Sequence, residues 1–62
     1  MKAKELIKLI EADGWFFVRQ RGSHAVYRHK LKTGIVVMSH HGLNKDMPDG
    51  TENSILKQAG LK

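Results

Sequence analysis

The segment Arg19-Gln20-Arg21-Gly22-Ser23-His24-Ala25-Val26-Tyr27-Arg28-His29-Lys30 combines a turn, a histidine and a run of cations in twelve residues. Five of the eleven Lys and Arg residues fall between Arg19 and Lys32, and no Asp or Glu falls there. Gln20-Arg21-Gly22-Ser23 is predicted to form a turn, because glycine allows the positive φ that tight turns need. The residues from His24 to Lys30 have strand character, so the segment predicts the second half of a β-hairpin.

Apolar runs on either side of this segment predict two further strands. Trp15 to Arg19 is rich in aromatic and β-branched residues and too short for a helix, so it is predicted to be the first strand of the hairpin. After a turn at Lys32-Thr33-Gly34, Ile35 to Met38 is predicted to complete a three-stranded meander. Alternation along the middle strand places two sets of side chains on opposite faces: His24, Val26 and Arg28 on one, and Ala25, Tyr27 and His29 on the other.

Helical periodicity marks both ends of the chain. From Lys2 to Asp13, apolar residues recur at the spacing of one helical face, and Gly14 supplies a stop signal. That predicted face consists of Ala3, Leu6, Ile7 and Ile10, widened by Leu9. A loop is predicted from His40 to Gly50, followed by a helix that Thr51 caps and Gly60 ends. The apolar side of this second helix is predicted to be Ile55, Leu56 and Ala59.

The predicted order is therefore α-β-β-β-α. Two amphipathic helices beside a three-stranded antiparallel sheet most simply cover one sheet face, which predicts an α+β fold in two layers. We expect residues 1–62 to form a single domain, because a chain of this length has no room for a second core.

The composition of the chain limits the classes of partner and the cellular compartment that we expect. The formal net charge is +5, which favours anionic partners: nucleic acid, an acidic protein or, less well, a membrane surface. The longest apolar runs, Trp15 to Val18 and Ile35 to Met38, are too short to span a bilayer. The N-terminal residues alternate between Lys, Glu and aliphatic side chains, a pattern that does not resemble a signal peptide. Because the chain has no cysteine, disulfide and thiolate chemistry are excluded, and we expect a cytoplasmic protein.

His24 is the candidate for proton chemistry on a polyanion. RNA carries its own nucleophile, the ribose 2′-hydroxyl, so a ribonuclease needs a base, a cation for the charged phosphorane, and an acid for the leaving 5′-oxygen. Histidine titrates near neutral pH and fills the base or acid role, typically worth ~10²–10⁴-fold. Arg21 and Arg28 flank His24 in the sequence and are candidates for the cation. The residues alone favour a histidine that only packs or binds phosphate.

Other side chains divide between binding and structural roles. The cations expected to bind RNA phosphates are Arg19, Arg21, Arg28, Lys30 and Lys32, with Ser23 as a further donor. A solvated basic face, or one that receives an acidic protein, is the alternative. Base stacking and core packing both suit the aromatic residues, and packing is favoured for most of Trp15, Phe16, Phe17 and Tyr27.

A second catalytic group is not singled out by the residues. His40 and His41 are candidates for a general acid, ahead of His29, which alternation places on the face away from His24. No metal site is predicted, because the chain has no cysteine, no histidine pair at helical spacing and no tight carboxylate cluster.

A series of motifs, in order from Met1 to Leu61, resembles the HicA family of bacterial toxins. The motifs are Lys-Glu-Leu-Ile-Lys-Leu-Ile-Glu in the first helix, Asp13-Gly14-Trp15, Arg19-Gln20, Gly22-Ser23-His24, Tyr27, Gly50-Thr51 and Ser54-Ile55-Leu56-Lys57-Gln58-Ala59-Gly60-Leu61. The departures lie in the loop and the last helix. Ser39 stands where the family usually has proline, and either His40 or His41 matches the histidine that follows. The segment from Gly42 to Asp46 is slightly longer than usual, and Glu52 and Asn53 replace residues that are often apolar and basic.

The resemblance implies a fold like the double-stranded-RNA-binding domain and the activity of an mRNA interferase. Such an endoribonuclease cleaves transcripts without a metal or other cofactor and arrests translation and growth in a stress response. The family's catalytic histidine corresponds to His24. The expected partner is a HicB-like antitoxin that covers the His24 site, with the toxin monomeric alone and in a higher-order assembly with the antitoxin. A non-catalytic RNA-binding module of the same fold, or an antitoxin-bound protein that has lost its activity, are the alternatives.

Overall fold

Two helices flank a three-stranded sheet in a computed structural model that describes residues 1–62. The elements are α1 (Ala3–Ala12), β1 (Trp15–Arg21), β2 (His24–His29), β3 (Val36–Ser39) and α2 (Asp49–Gln58). The sheet is antiparallel, in the order β1-β2-β3. The predicted element order, the α+β class and the meander are therefore confirmed. β1 runs two residues further than predicted, which shortens the hairpin turn to Gly22-Ser23.

α1 packs through the apolar stripe that its sequence predicts. Ala3, Leu6 and Ile10 are fully buried, and Ile7 packs against the core from its margin. Leu9 is 44% exposed, so the predicted widening of the stripe to this residue is wrong. The position lies too far around the helix to face the sheet. Both helices are ten residues long, and neither has the length and apolar character needed to cross a membrane.

α2 begins two residues before the predicted cap at Thr51. The helix starts at Asp49, and Pro48 occupies the N-cap position with φ −57°. The backbone N–H of Glu52 donates to the carbonyl of Pro48 at 2.9 Å, which closes the first turn there. Proline presets φ for this position, and no side chain caps the first turn, so the predicted capping role of Thr51 is wrong. Gly60, at φ +75°, follows the end of α2 as predicted.

The core lies between the helices and one face of the sheet. Its members are Ala3, Leu6, Ile10, Trp15, Ala25, Tyr27, Val36, Met38, Met47, Ile55 and Ala59. β2 contributes Ala25 and Tyr27, and their partners across the ladder on β3 are Met38 and Val36. Directly opposed residues project from the same face, so both helices cover this face, as predicted. The other face of the sheet has no helix on it.

A β-bulge at Val18 sets the register of the hairpin. Phe17 pairs with Tyr27, but the next pair is Arg19 with Val26, so Val18 has no partner of its own. If the seven residues of β1 alternated regularly, Trp15 and Arg21 would project from the same face, because they are six positions apart. The bulge separates them, because one unpaired residue shifts the alternation of everything beyond it.

Trp15 at one end of β1 therefore projects into the core, and Arg21 at the other end projects from the uncovered face. Trp15 is 2% exposed, and its indole N–H donates to the carbonyl of Ala59 at 3.2 Å. Arg21 at the other end pairs with His24 on the uncovered face. A single strand thus anchors the core at one end and presents a cation at the other.

The loop between β3 and α2 is fastened to the start of α1. The first N–H groups of a helix have no partner within it. Here the N–H of Ala3 donates to the carbonyl of Lys45, and the N–H of Lys4 to the carbonyl of Leu43, both at 3.0 Å. The loop is thereby held at a defined position next to the sheet.

Candidate nucleic-acid interface

The uncovered side of the sheet forms a surface that we call the open face. Its side chains, assigned from the ladder register, are Phe16, Arg19, Arg21, His24, Val26, Arg28, Val37 and Ser39. All of them are exposed or half-buried. Of the predicted site residues, His24, Arg19, Arg21 and Arg28 therefore share one surface.

His24 lies at the corner of this face, directly after the Gly22-Ser23 turn. Gly22 has φ +60°, the left-handed conformation that glycine adopts without strain. The Nε2 amide of Gln20 donates to the carbonyl of Gly22 at 3.0 Å and braces the turn. The His24 side chain is exposed and makes no hydrogen bond within the protein. It is consequently free to contact a ligand.

Two polar residues stand beside His24 in the sheet. Arg21 is its partner on β1 and Ser39 its partner on β3. Directly opposed residues have Cβ atoms about 4.5–5.5 Å apart. A guanidinium and a hydroxyl are therefore within reach of an anion bound at the imidazole.

The remaining predicted cations lie further along the sheet. Arg28 is four residues from His24 on β2, which corresponds to about 13 Å at the usual rise of a strand. Of the two arginines that flank His24 in the sequence, Arg21 is therefore the one beside it in the fold. Arg19 lies between them on the open face, and Lys30 follows the far end of β2. Together they suit successive phosphates of one strand.

The charge of the protein is concentrated on this side of the molecule. No carboxylate occurs between Asp13 and Asp46, a stretch that includes the whole sheet. The five cations from Arg19 to Lys32 account for the net charge of +5, because the other six cations are matched by six carboxylates. Three of these cations, Arg19, Arg21 and Arg28, project from the open face, which carries no carboxylate and is therefore positive.

His29 is confirmed to lie on the covered face, as alternation predicts. Its side chain is 8% exposed, and its Nε2 lies 2.6 Å from the carbonyl oxygen of Asp13. Its Nδ1 accepts the backbone N–H groups of Leu31 at 3.0 Å and Lys32 at 3.2 Å. Since Nδ1 accepts, Nε2 carries the N–H that donates to the carbonyl oxygen of Asp13. His29 is a structural residue, not part of the interface.

Lys32 also has a structural role in place of the predicted phosphate contact. Its Nζ pairs with the carboxylate of Asp13 and donates to the carbonyl of Ala59 at 3.0 Å. The hydrogen bond from Lys32 is the main reason that the pKa of Asp13 lies below its usual range. The ammonium is therefore engaged within the fold.

The loop histidines approach the same end of the sheet as His24. The backbone N–H of His40 donates to the carbonyl of Ser23 at 3.1 Å, which joins the loop to the turn that precedes His24. Nδ1 of His40 accepts the N–H of Gly42 at 3.3 Å. His41 is exposed beside it. A cleft next to the open face is lined by Ser39, His40, His41, Lys45, Asp46, Met47 and Pro48. No three His, Asp or Glu residues converge into a cluster.

The four aromatic residues divide evenly between core and surface. Trp15 and Tyr27 are buried, as predicted, and burial raises the pKa of the Tyr27 hydroxyl. Phe16 is 45% exposed and Phe17 is 51% exposed, so the expectation that most of the four pack in the core is met by only two. Phe17 packs edge-on against Tyr27, with ring centroids 5.9 Å apart. Phe16 projects from the open face opposite Arg28.

Two residues of this site are not apparent from the sequence alone. Gln20 braces the turn, and Ser39 flanks His24. The signal for Gln20 is its place in a tight turn, where an amide commonly bonds to nearby backbone. Ser39 has no such signal, because the connection between β2 and β3 leaves their register open.

Comparison with known proteins identifies the family. A family model described as the HicA toxin of bacterial toxin–antitoxin systems matches residues 3–61 of the 62-residue chain. The match spans both helices and the complete sheet. Among curated protein sequences, none matches the chain significantly. The family is defined by a toxin that acts with an antitoxin partner. The chain therefore belongs to the HicA family and has the role of the toxin in such a pair.

Proposed function

We propose that this toxin is an endoribonuclease, an mRNA interferase that cleaves transcripts in the cytoplasm and so arrests translation and growth. His24 is its catalytic residue. The observation that carries the proposal is the position of His24: exposed, opposite Arg21, on a sheet face that has no carboxylate. Membership of a toxin family supports it, because destruction of mRNA accounts for toxicity.

The reaction follows from groups present in RNA and on the open face. The 2′-oxygen attacks the adjacent phosphorus, the bond to the 5′-oxygen breaks, and a 2′,3′-cyclic phosphate and a 5′-hydroxyl result. His24 removes the 2′-proton, and the guanidinium of Arg21 stabilises the charge that develops on the phosphorane. His40 and His41 are the candidates to protonate the leaving 5′-oxygen. Since the nucleophile belongs to the substrate, no metal is required to generate one.

The remaining predicted site residues position the strand. Arg19, Arg28 and Lys30 bind phosphates on either side of the scissile bond, and Ser23 donates from the turn. A HicB-like antitoxin neutralises the toxin by covering His24 and the cations around it. In this proposal the toxin is monomeric when free and joins a higher-order assembly with the antitoxin.

The test compares the wild type with His24→Ala on a labelled RNA, and in cells that lack the antitoxin. Removal of a general base typically reduces the rate ~10²–10⁴-fold, so we expect His24→Ala to lose both cleavage and growth arrest. Leu31→Ala is the control, because this side chain is 90% exposed and lies beyond the end of β2 that is opposite to His24. Thermal unfolding verifies that both variants are folded. Equal cleavage by wild type and His24→Ala contradicts the proposal, as does loss of wild-type cleavage on addition of EDTA.

The competing function is a non-catalytic RNA-binding module of the same fold. The positive open face favours it equally, because phosphate binding by Arg19, Arg21 and Arg28 needs no catalysis. Purified protein that shifts RNA in a gel but yields no cleavage product, with or without divalent ions, selects this function.

A further inference from the structure

Phe16 is the aromatic residue of the open face, and it has no role in the proposed chemistry. The Phe16 side chain is 45% exposed, and it projects from the face of the sheet opposite to the core. Its partner across the ladder is Arg28, so a phenyl ring and a guanidinium stand side by side on the surface. Surfaces that bind unpaired nucleic acid commonly present exposed aromatic side chains among cations, because each base offers a face for stacking.

The position of Phe16 relative to His24 is set by the ladder. Arg28 and His24 are separated by four residues of β2, or about 13 Å. Arg19 and Val26 form the pair that separates Phe16 from the His24 corner. The open face thus carries a ring at one end, the candidate catalytic histidine at the other, and a cation between them.

The charges of the helical side argue against recognition of a duplex there. All six carboxylates of the chain lie on the helices or next to them, with Glu5 and Glu11 on α1 itself. Backbone binding to a duplex requires a cationic surface, and on α1 the lysines Lys4 and Lys8 are offset by these two carboxylates. A duplex on the open face would keep its base faces stacked inside and leave Phe16 without a partner.

We propose that the open face binds single-stranded RNA, with Phe16 stacking on an unpaired base about 13 Å from the bond at His24. The inference rests on the proposed function in taking RNA as the ligand. It goes further by assigning the substrate class and a base-binding residue outside the catalytic group. The adjacent Phe17 has no such role, because it projects from the other face and packs on Tyr27.

The test measures affinity with a probe that cannot be cleaved through its 2′-oxygen. A fluorescent single-stranded 2′-O-methyl oligonucleotide is titrated with wild type, Phe16→Ala and the matched control Phe17→Ala, and anisotropy is recorded. We expect Phe16→Ala to weaken binding roughly 5- to 100-fold, the range that loss of one stacked base implies. Phe17→Ala should bind within about twofold of wild type. A duplex of the same sequence should bind more weakly and respond equally little to both substitutions.

Further variants keep the test informative if Phe16→Ala is unstable. Phe16→Trp preserves the stacking surface and should retain affinity, whereas Phe16→Leu preserves apolar bulk and should lose it. Equal effects of Phe16→Ala and Phe17→Ala would overturn the inference. So would tighter binding of the duplex, or an effect of Phe16→Ala on antitoxin binding with none on RNA.

Failure of this inference and failure of the proposed function have different signatures. If Phe16→Ala binds the oligonucleotide more weakly but the wild type never cleaves unmodified RNA, the stacking site is supported and the nuclease function is contradicted. If the wild type cleaves RNA while Phe16→Ala binds the oligonucleotide normally, the nuclease stands and the stacking site does not.

Discussion

At the scale of single residues, the surroundings of each histidine decide its role. His29 uses both ring nitrogens in hydrogen bonds to backbone groups and is almost fully covered. His24 has neither cover nor an internal partner. Nδ1 of His29 accepts two backbone N–H groups and Nε2 contacts the carbonyl of Asp13, so neither ring nitrogen is available to a ligand. Of these two histidines, only His24 is free for chemistry on the open face.

Gly14 is required next to His29 for steric reasons. Its φ is +109°, and a Cβ at this position would lie 2.6 Å from Nε2 of His29. We therefore expect Gly14→Ala to lower the free energy of unfolding by about 1–3 kcal/mol, because it combines backbone strain with a collision. Urea denaturation followed by circular dichroism measures the difference.

Gly50→Ala is the matched control for this prediction. Gly50 lies in the first turn of α2 with no atom near its would-be Cβ, and it does not have a positive φ. Alanine there should leave stability unchanged or raise it, since alanine is the better helix former. Equal stability of Gly14→Ala and wild type would show that the close approach to His29 is not a constraint.

At the scale of elements, the bulge in β1 reconciles two demands on one strand. Trp15 must face the helices, and Arg21 must face the same way as His24. The seven residues of β1 cannot satisfy both by simple alternation, because Trp15 and Arg21 are an even number of positions apart. One unpaired residue, Val18, resolves the conflict, and it lies on an edge strand where bulges are well tolerated.

Deletion of Val18 should therefore preserve the fold. Phe17 and Arg19 would then be neighbours in a regular ladder, and each would keep the partner and the face that it has now. We expect circular dichroism to show that the deletion variant is folded. Any effect of the deletion should be limited to a lower melting temperature. Deletion of Gln20 is the contrast, since it shifts the ladder next to the turn and should unfold the hairpin. An unfolded Val18 deletion would contradict this account of the register.

At the scale of the whole molecule, the Asp13–Lys32 ion pair joins three elements. Asp13 follows α1, Lys32 lies between β2 and β3, and the carbonyl of Ala59 that also accepts from Lys32 follows α2. The carbonyl of Ala59 accepts the indole N–H of Trp15 as well. The ends of both helices are thus fastened to the sheet at a point remote from His24, which leaves the open face clear.

This ion pair predicts a specific response to acid. The pKa of Asp13 is lowered in the fold, chiefly by the hydrogen bond from Lys32, so the unfolded chain binds the proton more tightly. The stabilisation is therefore present above the unfolded pKa of about 4 and is lost as the pH falls through the folded pKa. We expect Asp13→Asn to melt at a lower temperature than wild type at neutral pH. The difference should shrink progressively below about pH 4.

Asp46→Asn is the control for the acid response, because Asp46 is exposed and its carboxylate accepts no hydrogen bond. Its melting temperature should follow that of wild type across the same pH range. A difference between Asp13→Asn and wild type that stays constant down to pH 2 would refute the proposed linkage.

The sequence by itself determined the elements and the chemistry that they carry. Periodicity depends on local contacts along one element, so the stripe of α1 and the faces of β2 were predictable from residue spacing. The choice of His24 among four histidines came from a resemblance to the HicA family. The family match confirms that resemblance, and the role of His24 stays a prediction. Helix boundaries were less accurate, because Pro48 and Thr51 both suit a helix start.

Only the tertiary structure decided which side chains meet. Alternation along β1 cannot reveal the bulge at Val18, which depends on the simultaneous fit of Trp15 in the core and the tight turn before His24. For the same reason Ser39 was not foreseen beside His24, Lys32 was assigned to phosphates, and the exposure of Phe16 was not foreseen. Register and pairing arise from contacts between residues far apart in the chain, and a pattern within one segment carries no information about them. The basic segment that contains His24 became an open, carboxylate-free face only when the two helices covered the other side of the sheet.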